Sequence, residues 1–271
     1  MRELAPAKIN LCLLIGPHRP DGRHELVSVM QSITLYDELT LADGAGDEVI
    51  CPGVEGPNLV ERALAGFREV TGWDGPPQRI EIVKRIPVAA GLGGGSADAA
   101  AALRLLARRS GRGEDGQLLE LASRLGSDVP SQLRPGRSLV RGGGELVQAL
   151  AQPAPFGVLV LPSHAALSTA AVYAQADRLG LTRSAAELAA LEPDALTAVN
   201  DLQAAALSLE PSIGAALERA RAAGAAHAFV SGSGPTVLGL FADPLAAEGA
   251  AVALAGENVE ALSAQPVPAA A

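Results

Sequence analysis

Pro87-Val88-Ala89-Ala90-Gly91-Leu92-Gly93-Gly94-Gly95-Ser96-Ala97-Asp98-Ala99-Ala100 is the stretch on which the reading of this chain turns. Before it, residues 79–86 alternate Ile80 and Ile82 with polar neighbours and read as a strand; after it, residues 97–109 form an Ala/Leu run with helical spacing. The glycines therefore fill a strand-to-helix connection. Without Cβ atoms they let several backbone N–H groups converge on one anion, and the following helix adds unpaired amides and the positive end of its dipole. A triphosphate suits such a cradle. No Gly-Lys-Ser/Thr closes the loop as in a Walker motif, and Ser96 stands where a dinucleotide fingerprint needs its last glycine. The plain alternative is a tight turn in which Ser96 is the helix N-cap and Asp98 an acid of the first turn.

Working outward, residues 7–15 and 26–41 read as a strand pair separated by a turn cluster, Pro17 and Pro20-Asp21-Gly22. Residues 58–70 read as a helix with Leu59, Ala63, Leu64 and Phe67 on one face and Gly72 closing it. Residues 117–125 give another helix ended by Gly126, and residues 139–150, with Gly142-Gly143-Gly144, a hairpin. A boundary near 152–155 predicts two domains, 1–152 and 153–271. The second holds a strand at 156–161, helices near 169–179 and 211–223, a strand pair flanking residues 232–235, and a last helix and strand. The fold class is α+β.

Composition narrows the function. A net charge of −9 disfavours nucleic acid and anionic membranes as partners. The two cysteines, Cys12 and Cys51, lack metal-ligand spacing and argue for a reducing, cytoplasmic setting. Lys8 and Asn10 break the N-terminal apolar run, so no secretory signal is expected, and apolar runs such as 156–161 are strand-sized. Of the 21 basic residues only Lys8 and Lys84 are lysines. Where a compact ammonium is needed a planar guanidinium replaces it poorly, so both lysines are candidates for chemistry.

Several short stretches carry candidate chemistry. Pro6-Ala7-Lys8-Ile9-Asn10-Leu11 sets Lys8 and Asn10 on one face of a strand, because they are two apart. Gly126-Ser127-Asp128-Val129-Pro130 puts a carboxylate just after a helix-ending glycine and two residues before a proline, where an Asp commonly serves as an N-cap. Asp21-Gly22-Arg23-His24-Glu25-Leu26, Leu167-Ser168-Thr169-Ala170-Ala171-Val172-Tyr173 and Ser231-Gly232-Ser233-Gly234-Pro235-Thr236 add a histidine, a tyrosine and a second glycine turn.

In order and spacing these stretches resemble the signatures of the GHMP kinase superfamily, whose central pattern is Pro-x-x-x-Gly-Leu-Gly-x-Gly/Ser-Ser. Within it they resemble the branch that phosphorylates 4-diphosphocytidyl-2-C-methylerythritol, which shares the Pro-Ala-Lys-Ile-Asn-Leu opening and the triplet Asn200-Asp201-Leu202. The resemblance implies an N-terminal domain like ribosomal protein S5 domain 2, a ferredoxin-like C-terminal α/β sandwich, and a step of non-mevalonate isoprenoid synthesis. It implies ATP held by Pro87, Val88, Ala89, Ala90, Gly91, Leu92, Gly93, Gly94, Gly95, Ser96 and Ala97, with Asn58 and Lys84 nearby, and Mg²⁺ approached by Ser96. Asp128 would be the catalytic base and Lys8 its partner at the acceptor hydroxyl. Asn10, His24, Arg23, Tyr173, Ser231 and Gly232 would hold the substrate, His24 at the cytosine edge and Tyr173 on its face. Arg23 departs from the branch, which has tyrosine there; a guanidinium either stacks on the base or points to solvent. Asn58 reads equally as a helix N-cap.

The expected partner is the small-molecule substrate, with no nucleic acid or membrane, in a monomer or weak homodimer. Two other readings share the glycine loop: a homoserine- or mevalonate-type kinase, and a nucleotide-binding regulator without turnover.

Overall fold

The computed structural model of the chain describes residues 1–163, 165, 167–190 and 198–267. They fall into two compact units, the first made of Met1–Lys8, Leu35–Val88 and Gly93–Pro135, the second of Ile9–Thr34, Ala89–Leu92 and Gly136–Ala271. The expected cut between 152 and 153 lies inside the second unit. Two strands cause this interleaving: β1 (Arg2–His18) and β2 (His24–Asp43) are long, and each gives residues to both units.

In the first unit β4 (Gln78–Val83) runs antiparallel to the end of β2, from Glu38↔Val83 to Asp43↔Gln78, and β3 (Glu48–Ile50) runs parallel to β4. The side chains of β4 alternate strictly, with Gln78, Ile80 and Ile82 buried. That face meets α1 (Leu59–Thr71), α2 (Gly94–Ser110) and α3 (Asp115–Leu125), whose apolar stripes close a core around Leu39, Leu41, Phe67, Leu103 and Leu121. The core face of α2 is largely alanine, so neighbouring helices approach closely; a Cβ on Gly66 of α1 would lie 2.6 Å from Leu121 Cδ1.

In the second unit β5 (Arg137–Gly142) and β6 (Leu146–Ala149) form the expected hairpin, and β5 pairs with the first half of β2. A four-stranded antiparallel sheet has the order β11 (Leu262–Ala264), β7 (Gly157–Leu161), β10 (Val237–Phe241), β9 (His227–Val230). Every residue of β7 and β10 is buried, as their unbroken apolar runs require. Around this sheet and the end of β1 lie α5 (Thr169–Leu179), α7 (Gln203–Leu209), α8 (Ile213–Ala222) and α9 (Pro244–Gly256); α6 (Ala185–Ala189) and β8 (Val199–Asn200) complete the order, β8 pairing parallel with β1 at Leu13↔Asn200.

Two element boundaries differ from the sequence reading. β4 stops at Val83 instead of 86, because the amides of Arg85 and Ile86 donate to Asp37 Oδ1, at 2.6 and 2.9 Å, and so leave the ladder. Helix α2 starts at Gly94 instead of 97, because Gly93 takes a left-handed conformation (φ 68°) and serves as the cap residue without a side chain.

The start of α1 is as expected: Asn58 Oδ1 accepts the Val60 N–H at 2.9 Å, and Gly72 closes the helix in the left-handed region. Asn58→Ala should therefore lower stability by about 1 kcal/mol, seen as a shifted denaturation midpoint at constant slope, and Asn58→Ser should recover most of it.

Candidate active site

Strand β1 carries Lys8 into the interior of the first unit, where its Nζ lies 3.3 Å from Asp128 Oδ2. Asp128 occupies the N-cap position of α4 (Val129–Gln132), yet its backbone is αR and its side chain makes no capping bond. The carboxylate is thus turned to the ammonium, and the N-cap alternative fails. The short helix is anchored from both sides: Gln132 Nε2 donates to the Pro6 carbonyl at 3.1 Å, and Arg104 Nη1 donates to the Gln132 carbonyl at 2.5 Å. Ser131 and Gln132 hold Asp128 and Pro6 in register; the Ser131 hydroxyl donates to the Asp128 carbonyl at 2.9 Å.

Between β4 and α2 the backbone φ is positive at Ala89 (57°), Gly91 (71°) and Gly93 (68°), while Ala90 and Leu92 keep the ordinary sign. This alternation turns successive N–H groups toward one side, the geometry of an anion-binding nest. Gly93 is required twice over, since a Cβ there would lie 2.8 Å from Lys8 Cγ. Ser96 is the third residue of α2 and not its cap, so that part of the plain reading is corrected.

Asp98 is likewise not a first-turn acid. Its Oδ2 accepts from Lys84 Nζ at 2.8 Å, and the same ammonium is bonded to Asp37 Oδ2. Lys84, expected beside ATP, is instead enclosed by two carboxylates; its Nζ would lie 3.2 Å from a Cβ on Gly94. Two buried carboxylates share one ammonium, and Asp37 also receives two amides while Asp98 Oδ1 has no hydrogen-bond partner. Burial pushes the Asp98 carboxyl up to about 7, against the pull of Lys84. Asp37, with no motif around it, is the member that sequence reasoning missed.

In the second unit the Ser231 hydroxyl donates to the Gly91 carbonyl at 3.1 Å, and a Cβ on Gly91 would come within 2.6 Å of the Ser231 carbonyl oxygen. The second glycine turn is fixed by Asn200, whose Nδ2 donates to the carbonyls of Val230 (2.8 Å) and Gly232 (2.7 Å). Asp201 holds Arg183 through two bonds of 2.7 Å. Asn10 is buried, its Nδ2 donating to Ser28 Oγ at 2.8 Å.

His24 is buried between two rings, Tyr173 stacked at 5.3 Å and His18 at 4.0 Å. Its Nδ1 lies 2.8 Å from the Gly16 carbonyl, and its Nε2 faces Asp177 of α5 at 3.3 Å. Neither His18 nor Asp177 was singled out in the sequence, because only the turn at residues 19–23 and the helical step from Tyr173 to Asp177 bring them to His24. Arg23 is exposed, and its guanidinium is hydrogen-bonded to Asp21 (2.8 Å) and to the Gly143 carbonyl (3.1 Å).

Comparison with known proteins agrees with this geometry. The family model "GHMP kinases N terminal domain" matches residues 58–136, and "GHMP kinases C terminal" matches residues 180–260. A 4-diphosphocytidyl-2-C-methyl-D-erythritol kinase of Salinispora arenicola is 41% identical over 95% of this chain and 89% of its own. One of the same name from Streptomyces avermitilis is 40% identical over 92% and 90%. A crystal structure of 4-(cytidine 5'-diphospho)-2C-methyl-D-erythritol kinase superposes with a TM-score of 0.82 at 34% identity, covering 99% of this chain and 100% of that one. A homoserine kinase from Cytophaga hutchinsonii, at 19% identity and TM-score 0.66 over 98% and 94% of the two chains, shares the fold.

The Asp98 carboxyl gives this unit a pH signature. The unfolded chain loses that proton near the ordinary value of 3.8, the folded chain only near 7, so across this interval the folded state holds the extra proton and the group's contribution to stability falls as pH rises. Melting temperatures taken across the interval should decline more steeply for the wild type than for Asp98→Asn; equal slopes would count against this assignment.

Proposed function

The chain belongs to the 4-diphosphocytidyl-2-C-methyl-D-erythritol kinase family of the GHMP kinases, and from that membership we propose that it transfers the γ-phosphoryl group of ATP to the 2-hydroxyl of 4-diphosphocytidyl-2-C-methylerythritol. The products are the 2-phosphate and ADP, in the non-mevalonate route to isoprenoids. The observation that carries the residue assignments is the pairing of buried Lys8 with half-buried Asp128, the carboxylate being free of capping duty.

Phosphoryl transfer asks a protein mainly to position reactants and neutralise charge. The nest at residues 89–93 and the first turn of α2, including Gly94, Gly95, Ser96 and Ala97, receive the nucleotide phosphates on backbone N–H groups. Asp128 orients the acceptor hydroxyl and takes its proton, and Lys8, 3.3 Å from that carboxylate, stabilises the developing alkoxide. Mg²⁺ fits beside this turn, where Ser96 offers a hydroxyl not used for capping; when bound it supplies charge neutralisation at the phosphates, held chiefly by them and by water. Asp98 is committed to Lys84 and is not assigned to the metal. Asn58, already a cap, supports the wall near the nucleotide.

For the acceptor, Tyr173 supplies a stacking face and His24 a ring nitrogen for a pyrimidine edge. We place the base beside His24, where the exposed His18 ring now stands tilted with its centroid 4.0 Å away, so that the base would take the place of that ring. Ser231, Gly232 and Asn10 line the remainder of the substrate path as backbone and amide groups. The hydrogen bonds of Arg23 to Asp21 and Gly143 favour a reading in which it holds the turn and does not stack on the base.

ADP release should be seen with 4-diphosphocytidyl-2-C-methylerythritol and not with homoserine or mevalonate; turnover confined to homoserine would remove the acceptor assignment. Asp128→Asn should lower kcat by roughly 10²–10⁴-fold with little change in KM. Arg23→Ala should leave the KM for the cytidine-containing substrate unchanged, and a rise would restore arginine as a base contact.

A further inference from the structure

His18, His24 and Asp177 bring two imidazoles and a carboxylate together, with a ligand atom of each within 4.8 Å of the others. The hydrogen-bond pattern of His24 makes this more than proximity. The Gly16 carbonyl can only accept, so Nδ1 at 2.8 Å carries the hydrogen and a neutral ring leaves a lone pair on Nε2. That lone pair faces Asp177 Oδ1 at 3.3 Å, which is also an acceptor, and Nε2 has no hydrogen-bond partner although the residue is only 6% exposed. Two acceptors this close require a positive species beside them. A second ring proton supplies that charge without forming an aligned hydrogen bond to Asp177, and a metal ion supplies it from a seat off the line between its ligands; the unbonded Nε2 and the neighbouring His18 ring nitrogen favour the ion.

The spacings suit such an ion. His18 Nε2 lies 3.2 Å from Asp177 Oδ2 and His24 Nε2 lies 3.3 Å from Oδ1, the other oxygen of the same carboxylate, so a small turn of that carboxylate brings one oxygen to both rings at the roughly 3.3 Å ligand spacing of a tetrahedral ion. The bond from His24 Nδ1–H to a backbone carbonyl is the support that metal-bound histidines commonly have, fixing tautomer and ring direction. Two imidazoles with one carboxylate favour Zn²⁺ or a neighbouring transition ion over Mg²⁺ or Ca²⁺, which prefer all-oxygen sites.

We infer that His18, His24 and Asp177 form a binding site for a Zn²⁺-class divalent ion, and that filling it clamps the His18 ring over His24 and shuts out the pyrimidine. The exclusion rests on the reading of His24 given under the proposed function; the metal site does not. Bound metal is then a reversible brake on the acceptor side, separate from the Mg²⁺ that accompanies ATP.

Co²⁺ titrated into the full chain serves as the probe. One equivalent should bind with the visible absorption of a tetrahedral ion, be displaced by Zn²⁺, and lose roughly 100-fold or more in affinity in both His18→Ala and Asp177→Asn. No saturable binding in the wild type, or unchanged affinity in both variants, overturns the site. In kinetics with Mg-ATP saturating, micromolar Zn²⁺ should raise the KM for the cytidine-containing substrate, and the ratio of KM with and without Zn²⁺ should return to one in His18→Ala. Tight Co²⁺ binding with no change in that KM would leave the metal site standing and overturn the exclusion, and with it the placing of the base at His24.

Discussion

A single ammonium sets the geometry of the first unit. Lys84 Nζ joins Asp37, on β2, to Asp98, one turn into α2, and Asp37 also holds the amides of Arg85 and Ile86. The glycine run therefore departs from one pinned point and lands on another, and its backbone must make the alternating turns at residues 89, 91 and 93 to connect them. Removing the ammonium from such a group leaves buried carboxylate charge uncompensated, a loss of about 3–5 kcal/mol. Lys84 and Lys8 are the two lysines among the 21 Lys and Arg residues, and each ammonium faces carboxylate: Asp37 and Asp98 for Lys84, Asp128 for Lys8.

The reacting pair follows from the same economy. Lys8 passes its aliphatic stem beside Gly93, where no side chain fits, and delivers its charge to Asp128. A carboxylate at the head of a short helix would ordinarily turn back to cap it. Here the αR backbone at Asp128 directs the side chain elsewhere, while Arg104, Gln132 and Ser131 supply the bonds that hold the helix in place.

What the sequence disclosed depended on whether the deciding contact was local. Asn58 and Gly72 mark the ends of α1 because cap chemistry lies within a few residues. The hairpin around Gly142-Gly143-Gly144 and the strand pair around the second glycine turn were legible for the same reason. The end of β4 was not, since Asp37, far back in the chain, draws its amides away, and the early start of α2 depends on a glycine conformation that no side chain announces. For Arg23 the motif left stacking and solvent both open, and the partner it takes in the structure is Asp21, two residues before it. His18 and Asp177 carried no motif, and only the meeting of a strand end with a helix reveals them.

Strands β1 and β2 have a consequence for how this chain can be taken apart. Each contributes its two halves to different compact units, so no single cleavage of the polypeptide releases either unit whole. Fragments divided at the expected boundary would leave the C-terminal piece without the strands that its own contacts call for. Recombined fragments should accordingly regain structure only as a complementing pair, and gene fusions or shuffling schemes that treat the halves as exchangeable modules would sever shared backbone.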